Sequence, residues 1–171
     1  MKPADDLTIV FDQTGAGAQF IRDHLDAFNV AMTGISAWYP LHLFLRNDRG
    51  ETLGGLLGQA WGGWLHISYL WVDEAVRGKG WATQLMDQAE AYARERGCHA
   101  VELDTHSFQA RPFYEKRGYE VFGTLDDYPQ GHKKFFLRKK LTCVSKEELS
   151  YIFHFIIFVG YIYEEISKIV S

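Results

Sequence analysis

A short basic, glycine-rich segment joins a strand-like stretch to a helix-like stretch near the middle of this chain. Residues 76–80 have the sequence VRGKG and follow the apolar run LHISYLWV, residues 65–72. After them, apolar residues recur at helical spacing on one face, at Ala82, Leu85, Met86, Ala89 and Ala93. A helix start carries unpaired amides and the positive end of the helix dipole, which attract anions. The segment therefore predicts a strand, an anion-binding loop and a helix in succession.

The glycine spacing distinguishes this loop from two common phosphate-binding sequences. A Walker loop has four residues between its glycines and then Lys and Ser or Thr, whereas the dinucleotide fingerprint is Gly-x-Gly-x-x-Gly. Neither spacing occurs here, and the pattern present is Arg-x-x-Gly-x-Ala at Arg77, Gly80 and Ala82. Taken alone, the loop could also be a plain turn between a strand and a helix.

The order of predicted elements indicates a mixed α/β fold around one central sheet. Local patterns predict a strand at residues 7–11, a helix at 18–32, a three-stranded antiparallel meander up to residue 72, a helix from Trp81, a strand at 99–105, a short helix within 107–118 and strands at 119–123 and 133–141. We expect a mostly antiparallel sheet of about six to seven strands flanked by helices. The predicted domain covers residues 1–141, and residues 142–171 form an apolar extension.

Two motifs together resemble the GNAT superfamily of acetyl-CoA-dependent N-acetyltransferases. The loop from Arg77 to Ala82 is similar to the family's acyl-CoA pyrophosphate loop, and FYEKRGYEVFG, residues 113–123, is similar to its second signature. The resemblance is strong over residues 65–123 and extends more weakly over residues 7–141. It implies a GNAT-like fold and acetyl transfer from acetyl-CoA to a primary amine, with a small molecule favoured as acceptor.

The resemblance also implies where the cofactor would bind. Loop amides would hold the pyrophosphate, residues at the end of the strand would pair with pantetheine amides, and Arg77 and Lys79 would supply positive charge. The implied cofactor contacts are Leu70, Trp71, Val72, Arg77, Gly78, Lys79, Gly80, Trp81, Ala82 and Ser107. Of these, Ser107 is a departure, since many family members have Asn at its position.

Acetyl transfer requires a proton donor for the departing thiolate and an acceptor for the amine proton. The resemblance gives Tyr114 the position of the acid. Strand alternation predicts that His66, Ser68, Leu70 and Val72 share one face, so His66 would lie beside the cofactor contacts and is the candidate base. Glu102 and Asp104 are rivals for that role, His106 and His132 are weaker candidates, and the amine could instead lose its proton to water.

Charge and composition exclude several other classes of function. A net charge of −4 argues against a general nucleic-acid-binding protein. The seven histidines have no metal-ligand spacing, so no metal is expected, and two cysteines offer no disulfide framework. The amino terminus lacks a secretory pattern, which favours the cytoplasm. Acidic residues near predicted loop ends could attract a cationic amine, namely Asp73, Glu74, Asp126 and Asp127.

Two alternatives to an enzyme stay open, and one of them depends on the apolar extension. Ser145 and Glu148 form a capping box that predicts a helix, and its apolar run, residues 151–163, is too short for a membrane span. We expect this helix to form a homodimer contact because one face cannot cover its apolar surface. The alternatives are a non-catalytic acyl-CoA-binding or sensing module that acts through a protein partner, and a peripheral membrane or assembly protein.

Overall fold

A computed structural model of the chain describes residues 7–142, which divide into two compact units between Ala37 and Trp38. The first unit contains one helix, α1 (Ala18–Thr33), as the sequence predicts. It ends at Gly34, whose left-handed backbone lets its N–H donate to the oxygen of Val30. The strand predicted at residues 7–11 is wrong: no backbone hydrogen bond joins that stretch to another described segment, and a strand requires such a partner.

The second unit is built on one sheet of six strands. The strands are β1 (Tyr39–Arg46), β2 (Thr52–Trp61), β3 (Trp64–Val72), β4 (Ala100–His106), β5 (Glu120–Asp126) and β6 (Lys133–Lys140). Their order across the sheet is β1-β2-β3-β4-β6-β5, and only β3 and β4 run parallel. Two helices follow β3 and β4, namely α2 (Trp81–Glu95) and α3 (Arg111–Lys116). The predicted mixed, mostly antiparallel sheet with flanking helices is confirmed.

Helix α2 covers one face of the sheet. Its buried residues follow the predicted helical spacing, and Met86 is completely buried. Alternate residues of the strands point towards this helix. The largest fully buried side chains, from the strands and from α2, are Leu56, Leu65, Met86, Leu103, Leu137 and Val101. Each such side chain stabilises the fold by roughly 1.5–3 kcal/mol relative to exposure. The core therefore fixes the register of the central strands, which carry the candidate site.

A β-bulge in β3 changes which side chains share a face. Leu57 lies opposite Tyr69 and Gly58 lies opposite Ile67, which leaves Ser68 as the extra residue. A Cβ atom on Gly58 would lie 2.5 Å from the oxygen of His66, so the backbones approach closely beside the bulge. Before the bulge the odd-numbered residues Leu65 and Ile67 face the core. After the bulge the even-numbered residue Val72 faces it.

This bulge corrects one prediction. Simple alternation predicted His66 on the same face as Leu70 and Val72. In the structure Leu65 and Val72 are buried on the face that α2 covers, and His66 lies on the opposite face. The alternation fails because an inserted residue shifts the period of two by one position.

Residues 143–171 lie outside the described residues, and so do the predicted C-terminal helix and its homodimer contact. The domain boundary after residue 141 and the homodimer therefore stay predictions, and light scattering on the full chain would test the second. Within residues 7–142, no helix is long and apolar enough to cross a bilayer.

Candidate active site

Strands β3 and β4 separate halfway along their length. They pair over four positions, from Trp64 opposite Ala100 to Ile67 opposite Leu103. Beyond Ile67, β3 continues to Val72 beside β2 alone, and β4 continues to His106 beside β6 alone. The two parallel strands therefore leave a gap at their carboxyl ends, which is where ligands commonly bind in sheets with parallel strands. We call this gap the slot.

The loop after β3 presents an unusual row of free amides. Asp73 caps a short 3-10 turn by accepting a hydrogen bond from the N–H of Ala75. Gly78 and Gly80 have φ angles of 75° and 82°, a backbone region that favours glycine. The first bond of α2 runs from the N–H of Gln84 to Gly80. Within the described chain, the backbone N–H groups of residues 78–83 have no acceptor, so they can bind an anion.

The two basic side chains of the loop have different roles. The Nε of Arg77 donates to the oxygen of Val72 at 2.8 Å, and its Nη1 lies 3.2 Å from Glu74. Arg77 thus stabilises the conformation of the loop through contacts with residues at its start. Lys79 is exposed and forms no ion pair in the part of the chain that the structure describes. Its charge is available to a ligand at the start of α2.

The predicted cofactor contacts lie on both sides of the slot. Leu70, Trp71 and Val72 form the end of β3 beyond the separation, next to the loop that carries Gly78 to Ala82. Ser107 follows β4, and its polar groups are already used: its N–H donates to Lys133 at 2.8 Å, and its hydroxyl accepts from the N–H of Lys133 at 3.2 Å. Ser107 therefore connects β4 to β6.

Tyr114 has a buried ring and an unused hydroxyl. The residue is 7% exposed and packs in the core beside Phe113 and Tyr119. Its hydroxyl has no hydrogen-bond partner among residues 7–142, whereas the hydroxyl of Tyr119 donates to Glu90. Burial, together with the charge of Asp104, raises the pKa of Tyr114 to about 12. Like an ordinary tyrosine, the side chain is protonated at neutral pH, so its hydroxyl has a proton to donate.

His66 and Glu102 form a hydrogen-bonded pair across the parallel strands. They are register partners, and His66 Nδ1 lies 2.7 Å from Glu102 Oε1. Both side chains are about one-third exposed, at 36% and 33%. From the sequence alone these residues are rivals for one role, since their contact depends on the register of two strands whose paired residues lie 36 positions apart. The candidate base is therefore one member of a pair.

The other candidates for the base also have polar partners. Lys134 Nζ lies 3.1 Å from Asp104 Oδ2. His106 Nδ1 contacts Gln109 Oε1 at 3.1 Å, and His132 Nδ1 contacts the hydroxyl of Ser107 at 3.3 Å. Within residues 7–142, no three His, Cys, Asp or Glu side chains are grouped to hold a metal ion.

Comparisons with known proteins agree with this geometry. The acetyltransferase (GNAT) family model matches residues 17–119. An acetyltransferase of Agrobacterium fabrum strain C58 is 39% identical over 120 residues, which cover 70% of this chain and 88% of that protein. The blasticidin-S acetyltransferase of Streptomyces morookaense is 43% identical over 95 residues, or 55% of this chain and 70% of that protein.

A solved structure extends the match to the fold. The crystal structure of an acetyltransferase from Bacillus cereus ATCC 14579 has a TM-score of 0.71 and 34% sequence identity. The match covers 78% of this chain and 98% of that one. The family matched by sequence and the fold matched by structure are the same as those that the two motifs predict. The chain belongs to the GNAT acetyltransferase family.

Proposed function

We propose that this acetyltransferase moves an acetyl group from acetyl-CoA to the primary amine of a small molecule by direct attack. The observation that carries the proposal is the slot between β3 and β4, which opens beside the free amides of residues 78–83. An elongated ligand with a phosphate at one end and amides along its length fits that combination. The exposed Lys79 would add charge at the phosphate end.

The residues present fit the cofactor in their chemistry as well as in their positions. Bound acetyl-CoA would supply the acetyl group as a thioester whose C–S bond breaks as the C–N bond forms. Tyr114 would donate its proton to the departing sulfur, because its hydroxyl is protonated at neutral pH and has no hydrogen-bond partner among residues 7–142. His66 would accept the proton that the amine loses.

The proposed acid and base lie on opposite faces of the sheet. Tyr114 belongs to the core cluster that α2 covers, and His66 lies on the other face. Such an arrangement separates the donated proton from the accepted one, so neither group has to perform both steps.

The proposed acceptor is supported by charge and by one relative. Glu102 lies on the face of His66, and its charge would attract a cationic amine, which would lose one proton to water before the attack. The relative from Streptomyces morookaense is named for acetylation of blasticidin-S. We propose a small molecule for this chain on that basis, and the predicted cytoplasmic location stays a prediction.

A panel of amines would test the proposed function. We expect free thiol to appear from acetyl-CoA with at least one small amine, and mass spectrometry to find one acetyl group on that amine. Acetyl-CoA binding without thiol release from any amine would instead support a non-catalytic acyl-CoA-binding module.

Binding of acetyl-CoA can be tested independently of turnover. Acetyl-CoA should raise the melting temperature of the wild type, by an amount set by its concentration relative to Kd. Gly80→Asp should abolish this rise, because it adds a negative charge among the free amides. Gly50→Asp is the matched control: its φ of 79° is close to the 82° of Gly80, and it lies in the β1–β2 hairpin. Equal rises in both variants would contradict the assignment of the loop.

A further inference from the structure

The pair formed by His66 and Glu102 lies one position before the slot begins. His66 lies opposite Glu102 in the register of the two strands. One more pair follows, Ile67 opposite Leu103, and then β3 and β4 separate. The bulge at Ser68 follows immediately on the β3 side. The imidazole of His66 is therefore held at the closed end of the slot, on the face that α2 does not cover.

Glu102 has a cationic neighbour that binds a different carboxylate. Arg138 of β6 is the register partner of Glu102, but its Nε donates to Glu120 at 3.0 Å. The next carboxylate along β4, Asp104, is paired with Lys134. His66 is thus the one hydrogen-bond partner of the Glu102 carboxylate among residues 7–142.

The bond between the pair determines which ring nitrogen can accept a proton. An ionised carboxylate only accepts hydrogen bonds, so the proton of the 2.7 Å contact belongs to Nδ1 of His66. Nε2 of the neutral ring then carries a lone pair, and it has no partner in the described part of the chain. We propose that Glu102 is a positioning residue, which holds His66 in this tautomer so that Nε2 accepts the proton of the acceptor amine.

The proposal rests on the proposed N-acetyltransferase activity and describes one step of it. As the amine nitrogen bonds to the acetyl carbon, its proton moves to Nε2, the C–S bond breaks, and Tyr114 protonates the sulfur. His66 becomes an imidazolium, whose charge the Glu102 carboxylate stabilises through the same hydrogen bond. The imidazolium then returns its proton to solvent, and Tyr114 regains one.

A double-mutant cycle tests whether Glu102 acts through His66. Glu102→Gln should lower kcat roughly 10-fold with little change in KM for either substrate, and His66→Gln should lower kcat about 100-fold. Because Glu102 acts through the imidazole, adding Glu102→Gln to His66→Gln should cause no further loss. Glu95→Gln, which changes an exposed carboxylate that forms no ion pair within residues 7–142, is the control and should keep the wild-type kcat.

Three results of the cycle would overturn the proposal. An unchanged kcat in Glu102→Gln would show that the carboxylate does not assist the reaction. An equal loss in the presence and absence of His66 would show that Glu102 acts by another route. A change confined to KM would make Glu102 a binding residue. Melting temperatures near that of the wild type would show that these variants are folded.

Nitrogen NMR on histidine-labelled protein provides a measurement that needs no turnover. The wild type should show His66 with Nδ1 protonated, and Glu102→Gln should shift or mix the tautomers. A wild-type His66 protonated on Nε2 would overturn the proposal even if the enzyme is active. If no amine releases thiol but the predicted tautomer is found, the proposed function fails while the geometry of the pair is upheld.

Discussion

Two glutamates of the second unit have opposite surroundings. The side chain of Glu90, on α2, is 5% exposed and contacts Lys139 at 2.7 Å, Arg117 at 3.2 Å and the hydroxyl of Tyr119 at 3.3 Å. The side chain of Glu102, on β4, is 33% exposed, and its one hydrogen-bond partner among the described residues is His66. We call the first group the Glu90 cluster.

The difference shows how burial decides what a carboxylate can do. A charge removed from water has to be compensated fully, and the Glu90 cluster meets that demand by joining α2, the segment after α3, and β6. A carboxylate so completely bonded has no capacity left for chemistry. A pair that is about one-third exposed needs less compensation, so Glu102 can be held by a single imidazole whose second ring nitrogen has no partner among the described residues.

Removal of Glu90 should have the largest effect on stability. We expect Glu90→Ala to lower the free energy of unfolding by about 3 kcal/mol, because it leaves Lys139 and Arg117 without their buried partner. Urea unfolding would measure the loss. At temperatures where the variant is folded, its kcat should stay near that of the wild type.

Glu95→Ala provides the control for that prediction. Glu95 is exposed at the end of the same helix and forms no ion pair within residues 7–142, so its removal should change stability by less than about 0.5 kcal/mol. If Glu90→Ala were as mild as this control, the Glu90 cluster would not be a structural requirement. A large fall in its kcat would remove the contrast with Glu102.

Two buried tyrosines differ in the same way as the two glutamates: the hydroxyl of Tyr119 is bonded to Glu90, and the hydroxyl of Tyr114, the proposed proton donor, has no partner among the described residues. Tyr114→Phe should lower kcat about 100-fold, equivalent to about 2.7 kcal/mol, and leave stability and acetyl-CoA affinity almost unchanged. Its hydroxyl makes no hydrogen bond with the described residues, so only the reaction loses a contact. Single-turnover thiol release would measure the effect.

Tyr119→Phe is the matched control, since Tyr119 is also buried and lies five residues further along the chain. It removes the hydrogen bond to Glu90 and should cost about 1 kcal/mol of stability with no change in kcat. If the two variants exchanged these outcomes, Tyr119 would be the donor and Tyr114 a packing residue.

The sequence predicted the parts of the site that depend on neighbours along the chain. The buried face of α2, the loop before it and the short α3 with Pro112 in its first turn are all set by local spacing, by capping and by glycine at Gly97 and Gly118. These elements need no knowledge of the sheet. The structure contains these elements where the sequence predicts them.

The parts that depend on contacts between strands were not predictable in this way. The bulge at Ser68 arises where β2 and β3 pair, and it moved His66 to the face opposite Val72. The bond between His66 and Glu102 requires the parallel register of β3 and β4. Apolar spacing also predicted a strand at residues 7–11 because it carries no information about a pairing partner.

The pH dependence of the reaction should show the smallest effect, and it sharpens the contrast between the two faces of the slot. Burial and the charge of Asp104 raise the pKa of Tyr114 to about 12, from an ordinary value of 10.0. A donor with that pKa stays protonated from about pH 7 to about pH 10. With saturating substrates, kcat should therefore show no fall up to about pH 10, whereas an ordinary tyrosine donor would lose about half its activity there.

The protein loses stability at high pH, which limits the pH range over which kcat can be measured. Because the native state keeps a proton that the unfolded state loses, the stability contributed by Tyr114 is complete below about pH 10 and is lost as the pH rises towards 12. Circular dichroism at each pH would confirm that the protein is folded where kcat is measured. A twofold fall of kcat near about pH 10, with the fold intact, would mean that the proton donor is a group with an ordinary tyrosine pKa and not the buried Tyr114 hydroxyl.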